Sequence, residues 1–164
     1  MIDKFGLTLI TLFSIGKIKY APGTVASAVT CMFYYSLRLT EFKYLINFTF
    51  FFIFFLILII YSIILIDKLS LKFKEEDPKE IVIDEFIGMS IPSIIFLYSP
   101  GEIKFIHWLI AFLLFRFFDI FKPFPINLID KKVKNGLGVV LDDVVAGIYT
   151  ITILAAIFFV LADW

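Results

Sequence analysis

Between Lys43 and Asp67 the chain runs for 23 residues, 44–66, without a charged side chain. As an α-helix this run reaches about 34 Å, enough to cross a bilayer core of about 30 Å with some tilt. A second uncharged run, 144–162, ends at Asp163-Trp164. Two such runs in 164 residues point to a helical membrane protein. The composition agrees, at 61% hydrophobic and 19% aromatic, against roughly half apolar in soluble domains.

Four further segments read as helices. The runs 81–98 and 105–121 are weaker spans, each charged near one end. The run 22–37 is marginal, with Gly23, Thr24, Ser27 and Thr30 inside it, and 5–15 is too short to cross alone. Either of these last two is re-entrant or interfacial if it does not span. The expected architecture is all-α: a single domain over 1–164, a compact membrane bundle of about five or six helices. The solvated stretch is 67–80, and the N-terminus does not have the pattern of a signal peptide.

Several function classes drop out early. Lys+Arg and Asp+Glu balance at 15 each and no basic block occurs, so a nucleic-acid partner is not expected. Cys31 is the single cysteine and His107 the single histidine, which leaves no internal disulfide, thiolate cluster or multi-histidine metal site. His107 reads as a helix-interior or interfacial residue beside Trp108.

Against this apolar background, five acids are out of place: Asp84-Glu85, Asp119 and Asp142-Asp143, set among Ile, Phe, Val and Leu. An ionised group at membrane depth costs a few kcal/mol or more, so such residues usually face a polar cavity and serve chemistry or transport. The plainer reading puts them at helix ends near water. Arg116 and Lys122 lie three residues to either side of Asp119, on one helical face.

The parity of helix crossings brings these groups together. If 67–80 defines a near face, helix 44–66 arrives there and helix 81–98 leaves it with Asp84-Glu85 in its first turn. Ser99-Pro100-Gly101 turns on the far side, and helix 105–121 returns Arg116 and Asp119 to the near face, where Lys122-Pro123-Phe124-Pro125 stops it. The last helix leaves with Asp142-Asp143 near its start, and the Pro22-Gly23-Thr24 turn falls on the same face. Lys17, Lys19, Lys68, Lys72, Lys74, Lys79, Lys122, Lys131, Lys132 and Lys134 share that face, against Lys4, Arg38, Lys43 and Lys104 opposite. Such an excess marks the cytoplasmic side.

Clustered carboxylates repel one another unless a cation or protons compensate them. With oxygen donors and no useful sulfur or imidazole set, Mg²⁺ (or Mn²⁺ in its place) is the expected ion. Arg116 and Lys122 are cations suited to a phosphate, and Ala21-Pro22-Gly23-Thr24 opens a helix whose backbone N–H groups suit an anion. Other phosphate chemistries lack their residues. Leu37 stands where a cysteine phosphatase loop starting at Cys31 needs arginine, no Asp-x-Asp occurs, and one histidine cannot serve a two-histidine lipid phosphatase.

Three segments, in order, resemble the phosphatidylglycerophosphatase A family: Ala21-Pro22-Gly23-Thr24-Val25-Ala26-Ser27, Ile83-Asp84-Glu85-Phe86-Ile87-Gly88-Met89, and Arg116-x-x-Asp119-x-x-Lys122-Pro123-x-Pro125. The last continues through Asp130, Gly136-Leu137-Gly138 and Asp142-Asp143-Val144-Val145-Ala146-Gly147. The likeness covers the chain from about Gly16 to the final helix; Ala26 and Lys19 depart from its usual glycine and proline. The resemblance implies a Mg²⁺-dependent bacterial lipid phosphatase that hydrolyses phosphatidylglycerophosphate to phosphatidylglycerol and inorganic phosphate. It implies an anionic phospholipid substrate, a multi-pass inner-membrane location and an active site on the cytoplasmic face.

On that basis Asp84, Glu85, Asp142 and Asp143 are expected to hold one or two Mg²⁺, with Asp119 as further ligand or base. Asp119, Asp142, Asp143 and Arg116 are the expected catalytic set; Gly23, Thr24, Ser27, Arg116 and Lys122 are the expected phosphate contacts. The nucleophile, water or aspartate, stays open, as do metal number and oligomeric state. Lys131, Lys132 and Lys134 read as attraction to an anionic surface or as a topology signal. Two other classes compete: an ion or proton transporter using Asp84, Asp119 and Asp142 as a relay, and a structural subunit whose charges pair within an assembly.

Overall fold

A computed structural model describes residues 4–40, 47–73 and 80–162, without the side chains of 70–73 and 159–162. Lys43, Lys74, Lys79, the start of the 44–66 run and Asp163-Trp164 lie outside the described residues. The elements in order are α1 (Lys4–Ile10), a 3₁₀ turn (Ile15–Lys17), α2 (Pro22–Leu39), α3 (Phe48–Phe73), α4 (Ile83–Tyr98), α5 (Phe105–Phe121), α6 (Ile126–Lys132) and α7 (Gly136–Ala162). No strand occurs among the described residues, so the all-α expectation holds. α6 lies where the apolar pattern predicts no helix, and α7 begins at Gly136, ahead of the uncharged run 144–162.

Two helices, over Phe48–Leu69 and Gly136–Phe158, are long and apolar enough to cross a membrane. The other expected spans are shorter. With 16 and 17 residues, α4 and α5 reach only about 24 and 26 Å, below a bilayer core of about 30 Å. Much of the outer surface is nevertheless apolar. Phe50, Phe54 and Ile57 on α3, and Leu113, Ile120 and Phe121 on α5, are all exposed. An apolar exterior of this extent suits lipid rather than water.

The centre of the bundle is α4, packed on α2 along one side and on α7 along the other. Its approach to α7 depends on backbone chemistry. Pro92 has no N–H to give the Gly88 carbonyl four residues earlier. Gly147 of α7 sits against that carbonyl, so close that a β-carbon at 147 would collide with it. Gly88 in turn lies where a β-carbon would be 2.6 Å from the Phe115 ring and 2.7 Å from the Asp143 carbonyl oxygen. Two glycines thus let α4 and α7 meet at backbone distance, which brings Asp143 over the first turn of α4. Fully buried Trp108, Tyr34 and Phe115 fill the core beside them.

The two ends of the bundle are fastened differently. At one, Arg38 of α2 donates to the carbonyls of Leu97, Ser99 and Gly101, tying down the α4–α5 turn. At the other, an Asp67 carboxylate oxygen of α3 accepts the Gly136 backbone N–H at 2.5 Å and caps α7. His107 belongs to the first end, where its Nδ1 accepts the Lys104 backbone N–H at 2.9 Å in the opening turn of α5.

Candidate active site

At the end capped by Asp67, a cavity of about 510 Å³ opens between the starts of α2, α4 and α7 and the finish of α5. Asp84 and Glu85 enter it from the first turn of α4, Asp142 and Asp143 from α7, and Arg116, Asp119 and Lys122 from the last turns of α5. All five unusual acids and both bases therefore line one space. Pro22, Gly23 and Thr24 form the wall at the start of α2. The first N–H groups of a helix have no acceptor inside it, and no side chain caps α2. That wall thus presents donors and the positive end of the helix dipole to an anion. Ala21, just before it, holds a left-handed conformation (φ 46°) that turns the chain into the helix.

Within the cavity, carboxylate oxygens of Asp84, Glu85 and Asp143 all lie within 4.8 Å of one another. Glu85 Oε2 and Asp143 Oδ2 are buried and meet no hydrogen-bond donor among the described residues. Buried carboxylates this close repel unless a cation or protons compensate them. Three hard oxygen donors, with no sulfur or imidazole near, fit Mg²⁺ or Mn²⁺. Gly23 belongs to the same arrangement, because a β-carbon there would overlap the Glu85 carboxylate.

Asp142 points elsewhere. Its Oδ2 lies 2.6 Å from Lys122 Nζ, and its Oδ1 accepts the Asp143 backbone N–H at 3.0 Å. Neighbouring residues on a helix point about 100° apart, and here the divergence gives Asp143 to the carboxylate triad and Asp142 to a lysine. The Lys122 ammonium also contacts Asp130 Oδ1 of α6 at 2.6 Å. Burial pulls the Lys122 pKa down, but the hydrogen bonds it donates to Asp130 and Asp142 outweigh it and hold the group above its ordinary value. Lys122 sits in a left-handed turn (φ 43°) that ends α5, its N–H returning to the Phe118 carbonyl.

Arg116 is also held. One guanidinium nitrogen lies 2.6 Å from Asp119 Oδ2 and donates to Ser27 Oγ at 3.3 Å, while Nε is buried without an acceptor among the described residues. Ser27 donates onward to the Gly23 carbonyl at 2.8 Å. Expected as a phosphate contact, Ser27 is fully buried behind the cavity wall and reaches the cavity only through Arg116. Two polar lining residues, Asp130 and Asn135, have no role assigned from the sequence, and Lys134, read there as surface attraction or a topology signal, lines the cavity as well. Asp130 was visible only as a motif residue; its link to Lys122 depends on α6. Asn135 accepts the Gly138 N–H at 3.1 Å at the start of α7.

Comparison with known proteins covers most of the chain. The family model described as Phosphatidylglycerophosphatase A matches residues 8–158. A Haemophilus influenzae protein named phosphatidylglycerophosphatase A is 38% identical over 146 residues, 88% of this chain and 83% of its own length. An Escherichia coli protein of the same name is 39% identical over 79 residues, 48% of this chain and 43% of its own. A Bacteroides thetaiotaomicron protein, provisionally named a phosphatidylinositol-3-phosphatase, is 41% identical over 81 residues, 49% of this chain and 48% of its own. No solved structure matches.

Proposed function

The chain belongs to the phosphatidylglycerophosphatase A family, and from that premise we propose that it is the phosphatase that converts phosphatidylglycerophosphate to phosphatidylglycerol and inorganic phosphate. The observation that carries the reading is the meeting of Asp84, Glu85 and Asp143 oxygens beside Arg116 and Lys122 in a single cavity. A metal-dependent phosphomonoester hydrolase needs these parts: hard anionic ligands, cations for phosphate oxygens and room for the ester.

Asp84, Glu85 and Asp143 would hold Mg²⁺, which when bound supplies charge neutralisation and water activation. Gly23 and Thr24 offer backbone N–H groups to the non-bridging phosphate oxygens, and Arg116, which lines the same cavity, offers its guanidinium charge. Asp119 orients Arg116 through their 2.6 Å contact and accepts the proton released as water attacks phosphorus. The bond from phosphorus to the glycerol oxygen breaks, and that oxygen leaves with the electron pair and takes the proton that Asp119 has accepted. Asp142 acts through Lys122, whose ammonium it holds at the cavity edge.

A membrane location is supported by the two long apolar helices and by the exposed Ile120, Phe121 and Phe124 beside the cavity mouth. We read the site as lying at the cytoplasmic face of a bacterial inner membrane, from the excess of lysines that helix parity assigns to that face. The headgroup then enters the cavity while the acyl chains stay in lipid. A proton or ion relay has less behind it, because transport sites usually lie at the bilayer midplane and these carboxylates occupy helix ends.

The experiment is phosphate release by the purified chain from phosphatidylglycerophosphate, with and without Mg²⁺. Phosphatidylinositol 3-phosphate serves as a second substrate. Release from the first and not the second supports the assignment; preference for the inositol lipid would replace the substrate while keeping the reaction.

A further inference from the structure

The cavity lining is unbalanced in charge. Asp84, Glu85, Asp119, Asp130, Asp142 and Asp143 face only Arg116, Lys122 and Lys134. Two of the three cations are already engaged: Arg116 is paired with Asp119, and Lys122 with both Asp130 and Asp142. Lys134 differs from them, being exposed and making no ion pair among the described residues. It lies in the link between α6 and α7, so it belongs to the outer part of the cavity rather than the carboxylate floor.

Resting on the functional reading above, the substrate carries two phosphates: the terminal monoester that is cleaved, and the phosphodiester that joins glycerol to the lipid. A cavity of about 510 Å³ exceeds what the terminal phosphate alone requires, falling in the range of sites that enclose drug-sized ligands. The diester is a second anion several bonds away from the phosphate that is cleaved, and it needs a cation not already neutralised. We propose that Lys134 is the specificity residue that binds the phosphodiester of the lipid headgroup, separately from the groups that bind the phosphate to be cleaved. As a mobile point charge, lysine suits a diester whose position varies with the lipid's depth.

Lys131 and Lys132 provide the internal control. They are exposed in the same basic cluster but do not line the cavity. General attraction to an anionic surface falls on all three lysines alike; recognition of the diester falls on Lys134 alone.

The test uses full-length protein in mixed micelles of fixed surface charge, comparing wild type, Lys134→Ala, Lys134→Arg and the double variant Lys131→Ala/Lys132→Ala. Two quantities are read: the KM for phosphatidylglycerophosphate, and the inhibition constant of inorganic phosphate, which has no diester. Lys134→Ala is expected to raise KM about tenfold, the loss of one partly exposed charge-assisted hydrogen bond. Its kcat and its inhibition by inorganic phosphate should stay near wild type, and Lys134→Arg should recover most of the KM. An unchanged KM overturns the proposal. So does a rise shared equally by the double variant, or one matched by weaker inhibition from inorganic phosphate. A wild-type protein that leaves phosphatidylglycerophosphate intact overturns the functional reading itself, whereas an active wild type whose Lys134→Ala variant keeps its KM overturns only the role of Lys134.

Discussion

Lys122 Nζ lies 2.6 Å from Asp142 Oδ2, joining the end of α5 to the second turn of α7. Because the same ammonium meets Asp130 at 2.6 Å, one lysine fastens three helices around the cavity mouth. Both Lys122 and Asp142 are mostly buried, with side chains 29% and 9% exposed. Removing one partner therefore leaves a charge with little water to solvate it.

Lys122→Met is expected to lower unfolding stability by about 2–4 kcal/mol, as for other broken buried pairs. Adding Asp142→Asn should restore part of that loss. Denaturant unfolding in detergent across the double-mutant cycle measures the coupling, and strictly additive losses would mean that the contact contributes nothing. The pH dependence follows from the raised Lys122 pKa. Stabilisation by a group whose folded pKa is raised is fully present below the unfolded value, about 10.4 for lysine, and fades as pH rises through the folded value. The gap between wild type and Lys122→Met should accordingly stay constant from about pH 8 to pH 10.

The two adjacent aspartates should separate in their effects. Asp143 shares the carboxylate triad, while both oxygens of Asp142 are engaged by Lys122 and by the Asp143 backbone N–H. Asp143→Asn is expected to reduce kcat by about 100-fold or more, and Asp142→Asn by less. Phosphate release by matched amounts of folded protein, checked by circular dichroism, decides it. Wild-type rates in both variants would make the pair structural.

Mg²⁺ should stabilise the fold as well as support turnover. At a hundred times its dissociation constant, an ion bound only by the folded state adds about 2.7 kcal/mol. Thermal unfolding without metal should occur higher in Asp143→Asn than in wild type, because one member of a buried carboxylate cluster is neutralised. Added Mg²⁺ should then raise the wild-type midpoint and leave the variant nearly unmoved. Equal responses in the two proteins would show that the ion binds elsewhere.

Helix type was legible in the sequence because the apolar runs are long, and α5 occupies 105–121 as expected. What the sequence obscured were features that depend on neighbouring elements. Pro123 and Pro125 mark a stop, and the lysines after them resemble loop, so the seven-residue α6 escaped notice. The charges of Asp142-Asp143 start the last apolar run only at Val144, yet Gly136 starts α7 under the Asp67 cap, and Gly138 passes so near the Val133 carbonyl that a side chain would not fit. The acids and bases of the site were visible as misplaced charges. Their division into a triad, a lysine bridge and an arginine pair was not, because it depends on how α4, α5 and α7 are rotated. Ser27 shows the same limit: being four residues from Gly23 puts it on the buried face of α2, behind Arg116.

Gly88→Ala tests the close contact that places Asp143 over α4. The added methyl would press on the Phe115 ring and the Asp143 carbonyl, for an expected loss of about 1–3 kcal/mol from overpacking. Activity should fall with it, since the triad spans the same two helices. Gly101→Ala is the control, because nothing lies within 4 Å of a β-carbon there. Equal unfolding midpoints for the two variants would mean that α4 and α7 are not in backbone contact.

The most direct measurement is release of inorganic phosphate from phosphatidylglycerophosphate by purified wild-type protein, first stripped of metal with EDTA and then supplied with Mg²⁺. Asp84→Asn, Glu85→Gln and Asp143→Asn are run beside it. The expected result is no release after stripping, full release with Mg²⁺ restored, and at least about 100-fold loss in each triad variant. Full turnover in the metal-free protein, or wild-type rates in all three variants, would contradict a metal-assisted phosphatase site built on Asp84, Glu85 and Asp143.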